Sequence, residues 1–143
     1  MRKLSRKNAH RKSLIRNLAT SLLLYESIET TLAKAKETKT FVDTILSRVN
    51  NNGLNEARYL YSVLFDDNAV KKTLVELLPR YQDRKSGFVR IYKNGYKVGD
   101  GAAKAIVELV DKKTYIDNTE AKKEDKGDIK KVAAKKIENE VKK

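Results

Sequence analysis

Across residues 8–110 the dominant hydrophobic period changes near Phe88, and that change limits what the chain can fold into. From Asn8 to Pro79 the apolar residues recur at helical spacing, interrupted only by the short alternating β-branched run Ser27–Thr31, SIETT. From Phe88 onward the period is two, in Phe88-Val89-Arg90-Ile91-Tyr92 and again in Ala105-Ile106-Val107-Glu108-Leu109-Val110. The pattern predicts an α/β chain in the order α-β-α-α-α-β-β.

Asn8 is the expected cap of a first helix to about Tyr25, with Leu14, Ile15, Leu18, Ala19, Leu22 and Leu23 at helical spacing. Thr31 is the expected cap of a long helix from about Leu32 to Asn50. Leu32, Ala35, Val42, Ile45, Leu46 and Val49 face inward on it, and Asn50-Asn51-Asn52-Gly53 stops it. A short helix from Asn55 to Leu64 carries Leu60, Val63 and Leu64. Asp66 and Asp67 then open another helix with Val70, Leu74, Val75, Leu77 and Leu78 on its inner stripe, closed by the single proline, Pro79. The two late strands flank Lys93 to Gly101, a segment with three glycines, which predicts a hairpin or an irregular connection.

Charge is distributed unevenly over this framework. Arg2, Lys3, Arg6, Lys7, Arg11, Lys12 and Arg16 put seven cations, with His10 among them and no acid, into the first seventeen residues. Such a density of like charge calls for an external polyanion, and nucleic-acid phosphate fits it; a solvated tail is the bland alternative. The basic run does not stop where the helix begins. Extended backward, the stripe of Ile15, Leu18 and Leu22 lands on Arg11 and Lys7, so the core-facing line turns cationic. The helix is therefore expected to overhang the globule and meet something charged, an expectation that Arg11 paired with Asp or Glu in the core would overturn. Residues 17–113 carry sixteen bases against twelve acids, and residues 114–143 nine against seven, within a total of +13. Residues 1–8 are expected to be a basic N-terminal arm on a domain over 1–113. Residues 114–143 are expected to be a charged C-terminal extension, disordered or a lone helix striped by Ile129, Val132, Ala133, Ile137 and Val141.

Several chemistries find no support in the sequence. There is no cysteine, so neither a disulfide framework nor a thiolate metal site is available. His10 is the only histidine and has no second histidine or cysteine as co-ligand, nor a local nucleophile and orienting carboxylate. Gly95, Gly99 and Gly101 fit neither phosphate-loop nor dinucleotide spacing. No cofactor, metal, small-molecule substrate or membrane partner is expected, and the basic start followed by LATSLLL is broken too early to be a secretory signal. The expected chain is soluble and intracellular.

Two groups of residues are candidates for RNA contact: Arg2, Lys3, Arg6, Lys7, His10, Arg11, Lys12 and Arg16, and then Arg90, Lys93, Tyr96 and Lys97. Arg90 shares a strand face with Phe88 and Tyr92. That face is either a stacking platform or, as spacing slightly favours, two aromatics under a helix with Arg90 reaching out to solvent. Tyr96, near the loop tip, is the better stacking candidate.

These residues also resemble a known family, the bacterial large-subunit ribosomal protein seventeen family. Asn8-Ala9-His10-Arg11-Lys12-Ser13-Leu14-Ile15-Arg16-Asn17-Leu18 is similar to its opening helix, and Glu29-Thr30-Thr31 with Lys34-Ala35-Lys36-Glu37 to its strand-to-helix passage. Gly87-Phe88-Val89-Arg90-Ile91, Lys93-Asn94-Gly95, Gly99-Asp100 with Ala102, and Ile106-Val107-Glu108-Leu109 are similar to its closing sheet. The resemblance covers roughly residues 1–111, with a basic leader slightly shorter than the family's. It implies an α+β fold with helices on a small three-stranded mixed sheet, and a structural role in the large subunit without catalysis. It further implies binding to large-subunit ribosomal RNA near the peptide exit tunnel, beside large-subunit proteins including number thirty-two. Charge by itself does not separate RNA from DNA, so a nucleoid-like DNA-binding protein is the alternative, and an RNA-cleaving enzyme a further one.

Overall fold

The computed structural model describes residues 2–49 and 53–112. The first helix, α1, spans Asn8–Tyr25 and buries Ile15, Ala19, Thr20, Leu22 and Leu23 on one face. Asn8 lies inside the helix and Lys7 occupies the cap position without a side-chain bond to the first turn, so the expected Asn8 cap is not formed. Strand β1 (Ser27–Thr31) follows after a single residue, Glu26, which has a left-handed backbone (φ 63°) and donates its N–H to the Leu22 carbonyl at 2.8 Å.

Helix α2 (Leu32–Arg48) starts with Thr31 at its cap position, again without a side-chain bond, and buries Ala35, Thr38, Val42, Ile45 and Leu46. Thr38 fits in this apolar stripe because its hydroxyl donates to the Lys34 carbonyl at 3.0 Å. Helix α3 (Leu54–Val63) buries Leu60. A continuous helical segment comes next: α4 (Asp67–Lys72), a π turn (Thr73–Leu77) and α5 (Leu78–Arg80), with Pro79 in its last turn. Asp66 caps it, accepting the Asn68 N–H at 2.8 Å. Val75 does not join its inner stripe. Val70, Thr73 and Leu77 face inward, which puts position 75 on the far side, 72% exposed.

Strands β2 (Val89–Tyr96) and β3 (Ala103–Leu109) form the hairpin, and β1 adds to the other side of β3, giving the order β1-β3-β2. Both pairings are antiparallel, so the sheet is not mixed as the family resemblance implied. The last of the described strands, β3, is the central one. One row across the sheet, Ile28–Val107–Ile91, lies against the core, and α2 packs on β2 and β3. β2 runs further than its alternation predicted, through an irregularity between Lys93 and Tyr96, which leaves 97–102 as the connection.

The expectation that Phe88 and Tyr92 share a covered face fails in an instructive way. Phe88 is buried, but it precedes the strand; its N–H donates to Asp43 Oδ1 at 2.9 Å and its ring meets Tyr81 at 5.3 Å between centroids. Val89 then takes the core side of β2, which turns Arg90 and Tyr92 outward. The described fold ends at Lys112, so the expectations for 114–143 lie outside the described residues.

Candidate nucleic-acid interface

The basic start of the chain folds into a turn before α1 begins. Leu4 and Ser5 both have positive φ (52° and 49°), and Arg6 donates its N–H to the Lys3 carbonyl at 3.2 Å. Arg2 lies 3.8 Å from Glu37 on α2. The arm of the free protein is thus turned rather than extended.

Lys3, Arg6, Lys7, His10 and Lys12 are all exposed, and none is paired with a carboxylate among the described residues. Arg11 is half-buried, and its guanidinium turns back on the arm, donating to the Arg6 carbonyl and to Asn8 Oδ1, both at 3.3 Å. Its Nε is buried without a hydrogen-bond partner among the described residues. It meets no acid in the core, so the observation that would have overturned the overhang of α1 does not occur.

Arg16 is placed differently. Its Nε donates to the Val63 carbonyl at 2.6 Å and its Nη2 to the Ser62 carbonyl at 2.5 Å, while the guanidinium carbon stands 4.3 Å above the centre of the Phe65 ring. The last carbonyls of a helix have no partner within it, and Arg16 supplies one to the end of α3. This cation is engaged in tying α1 to α3, a use its position in a basic run does not announce.

The second group gathers on the hairpin. Arg90, Tyr92, Lys93, Tyr96 and Lys97 are all exposed, Tyr96 by 75%. Lys97 is 3.7 Å from Asp100, an exposed pair that holds it weakly. Lys97 also joins Lys34 and Lys104, with Glu29, Thr30 and Thr31, around an open pocket of about 380 Å³. Lys104 bridges to Glu29 at 3.0 Å across the β1–β3 pair. Lys34 and Lys104 are scattered singly in the sequence, and only the return of β3 between β1 and β2 brings them to Lys97.

No group of three or more His, Cys, Asp or Glu able to hold a metal occurs among the described residues, and none of their helices is long and apolar enough to cross a membrane. Glu26, a buried carboxylate, is bonded to Lys72 and Arg80.

Comparison with known proteins matches residues 14–110 to the family model described as Ribosomal protein L17. The chain is 41% identical over 128 residues to a protein of Erythrobacter litoralis, covering 90% of this chain and 88% of that one. It is 40% identical over 109 residues to one of Wolinella succinogenes (76% and 94% covered), and 40% over 111 residues to one of Orientia tsutsugamushi (78% and 77% covered). Each of the three is named large ribosomal subunit protein bL17.

Proposed function

The chain belongs to the ribosomal protein L17 family, and from that premise we propose that it binds large-subunit ribosomal RNA through the two exposed basic surfaces described above. It is a structural component of the large ribosomal subunit, works in the cytoplasm within the ribosome, and is not an enzyme. A structural role in the large subunit supports RNA over DNA as the partner, and the family is not one of RNA-cleaving enzymes.

The observation that carries the RNA reading is the set of exposed cations at the start of the chain that meet no carboxylate among the described residues. Lys3, Arg6, Lys7 and Lys12, with His10, project from a turn and the first turns of a helix anchored in the core by Ile15, Ala19 and Leu22. Cations on such a base neutralise phosphates and release counterions, while the packed core holds them in register. Arg2 joins them from the arm and Arg11 from the first turn of α1, and Arg90, Lys93, Tyr96 and Lys97 form the second contact. Arg16 contributes by positioning α1 against α3. The family resemblance supports a place near the peptide exit tunnel and a contact with large-subunit protein number thirty-two. Residues 1–113 are the RNA-binding domain, and 114–143 an extension to it.

Salt titration of RNA binding tests this. The slope of log affinity against log salt is expected to steepen by roughly 0.7–0.9 for each phosphate neutralised. Removal of residues 1–7 is expected to flatten it while thermal unfolding stays cooperative. An unchanged slope would show that the arm is a solvated tail.

A further inference from the structure

We propose that the tip of the β2–β3 hairpin recognises an unpaired nucleotide in RNA, with Tyr96 and Val98 packing on the exposed base while Lys93 and Lys97 hold the neighbouring phosphates. This rests on the RNA-binding reading above and adds to it the RNA feature that the tip takes.

The tip carries apolar surface where a hairpin loop has no need of it. Val98 is 97% exposed and Tyr96 is 75% exposed, whereas Val89, Ala105, Val107 and Leu109 in the body of the same hairpin are buried. The loop around them is shaped by internal bonds. Lys97 donates its N–H to the Ala102 carbonyl at 2.9 Å, Gly101 to the Lys97 carbonyl at 3.1 Å, and Ala102 to Asp100 Oδ1 at 3.4 Å. Gly95, Gly99 and Gly101 have φ of 64°, 105° and 61°, and a Cβ at any of them would meet nothing within 4 Å. Conformation, not crowding, demands those glycines, and their open side lets another molecule approach the backbone closely.

Charge and apolarity together select the partner. Lys93 and Lys97 outweigh Asp100, the acid of the loop, so the tip favours a polyanion. A continuous A-form duplex offers phosphates and hydroxyls but keeps its base faces stacked, which would leave Tyr96 and Val98 against sugar and water. An unpaired nucleotide presents a base face between two phosphates and satisfies both kinds of group at once. An apolar pocket on a neighbouring protein would take Val98 and leave the lysines without counter-charge.

The test uses the full chain and two synthetic RNA hairpins that differ by one unpaired adenosine. The wild-type protein is expected to bind the bulged hairpin about tenfold more tightly, the scale of one base stacked on an aromatic ring. Val98→Asn and Tyr96→Leu together are expected to abolish that preference with thermal unfolding unchanged, and Val98→Asn alone to reduce it. Equal binding of the two RNAs by the wild type, or a preference that survives both substitutions, overturns the inference and leaves the RNA-binding reading in place. Loss of salt-dependent binding to both RNAs would overturn the two together.

Discussion

Glu26 holds Arg80 through a bond of 2.8 Å from Nη1 to Oε2, and does so from a left-handed backbone that an L-residue other than glycine adopts at a cost of about 1–2 kcal/mol. The same carboxylate meets Lys72 Nζ at 2.8 Å, and the Glu26 carbonyl accepts the Leu109 N–H at 2.9 Å. One residue thereby ties the end of α1 to the α4–α5 segment and to the central strand. Hydrogen bonding to Glu26 raises the Arg80 pKa further above its ordinary value. Replacing Glu26 by Gln keeps the size and removes the buried negative charge shared by Lys72 and Arg80, which keep their bonds to the Leu24 and Asp111 carbonyls. We expect Glu26→Gln to lower stability by about 3 kcal/mol in urea denaturation, with little change in the slope of the transition.

Arg16 and Lys12 are one helical turn apart in a single basic run, yet they are expected to respond in opposite ways. Arg16→Ala removes the bonds to Val63 and Ser62 and the stacking on Phe65, so it should destabilise the fold by about 2 kcal/mol. Lys12→Ala should leave stability within about 0.5 kcal/mol and reduce the salt slope of RNA binding by about one. Thermal melts and salt titrations of both variants check this. A neutral Arg16→Ala would mean that the clamp does not hold α3.

Two carboxylates predict pH effects of opposite sign. Burial is the larger influence on Asp43 and raises its pKa above 3.8, although it accepts the Phe88 N–H. The folded state therefore binds this proton more tightly than the unfolded chain, and the stability that protonated Asp43 contributes is lost as pH rises through its folded pKa. Compared with Asp43→Asn, the wild type should gain relative stability as pH falls from neutral towards 3.8. Glu108 is pulled below 4.5, first by its hydrogen bond from Lys112 and also by Ser27. Its stabilising effect is present above 4.5 and is lost as pH falls through the lower, folded value. Denaturant midpoints of Glu108→Gln against the wild type should converge on acidification.

Gly95 has ample room for a side chain and still needs to be glycine, because its φ of 64° is left-handed. We expect Gly95→Ala to cost about 1 kcal/mol in thermal unfolding despite the open space. A stabilising effect would show that the turn relaxes to another geometry.

The order and type of the elements were legible in the sequence because each rests on a local period. Ile15 to Leu23, Ala35 to Leu46 and Ala105 to Leu109 repeat at the spacing of their own backbone geometry, and each of these stripes faces the core. The exposure of Arg2, Lys3, Arg6, Lys7 and Lys12 was legible for a similar reason, since like charges crowded together without an acid favour solvent. The tertiary structure alone decided the rest. Strand direction depends on where a chain returns, and β3 returns between β1 and β2 antiparallel to both. The fate of a cation depends on which carbonyls or rings arrive beside it from far along the chain. Arg16 meets residues 46 and 47 positions away, and Lys97 lines one open pocket with Lys34 from another element. A period records only which side of an element is apolar; what stands opposite that side is settled by packing.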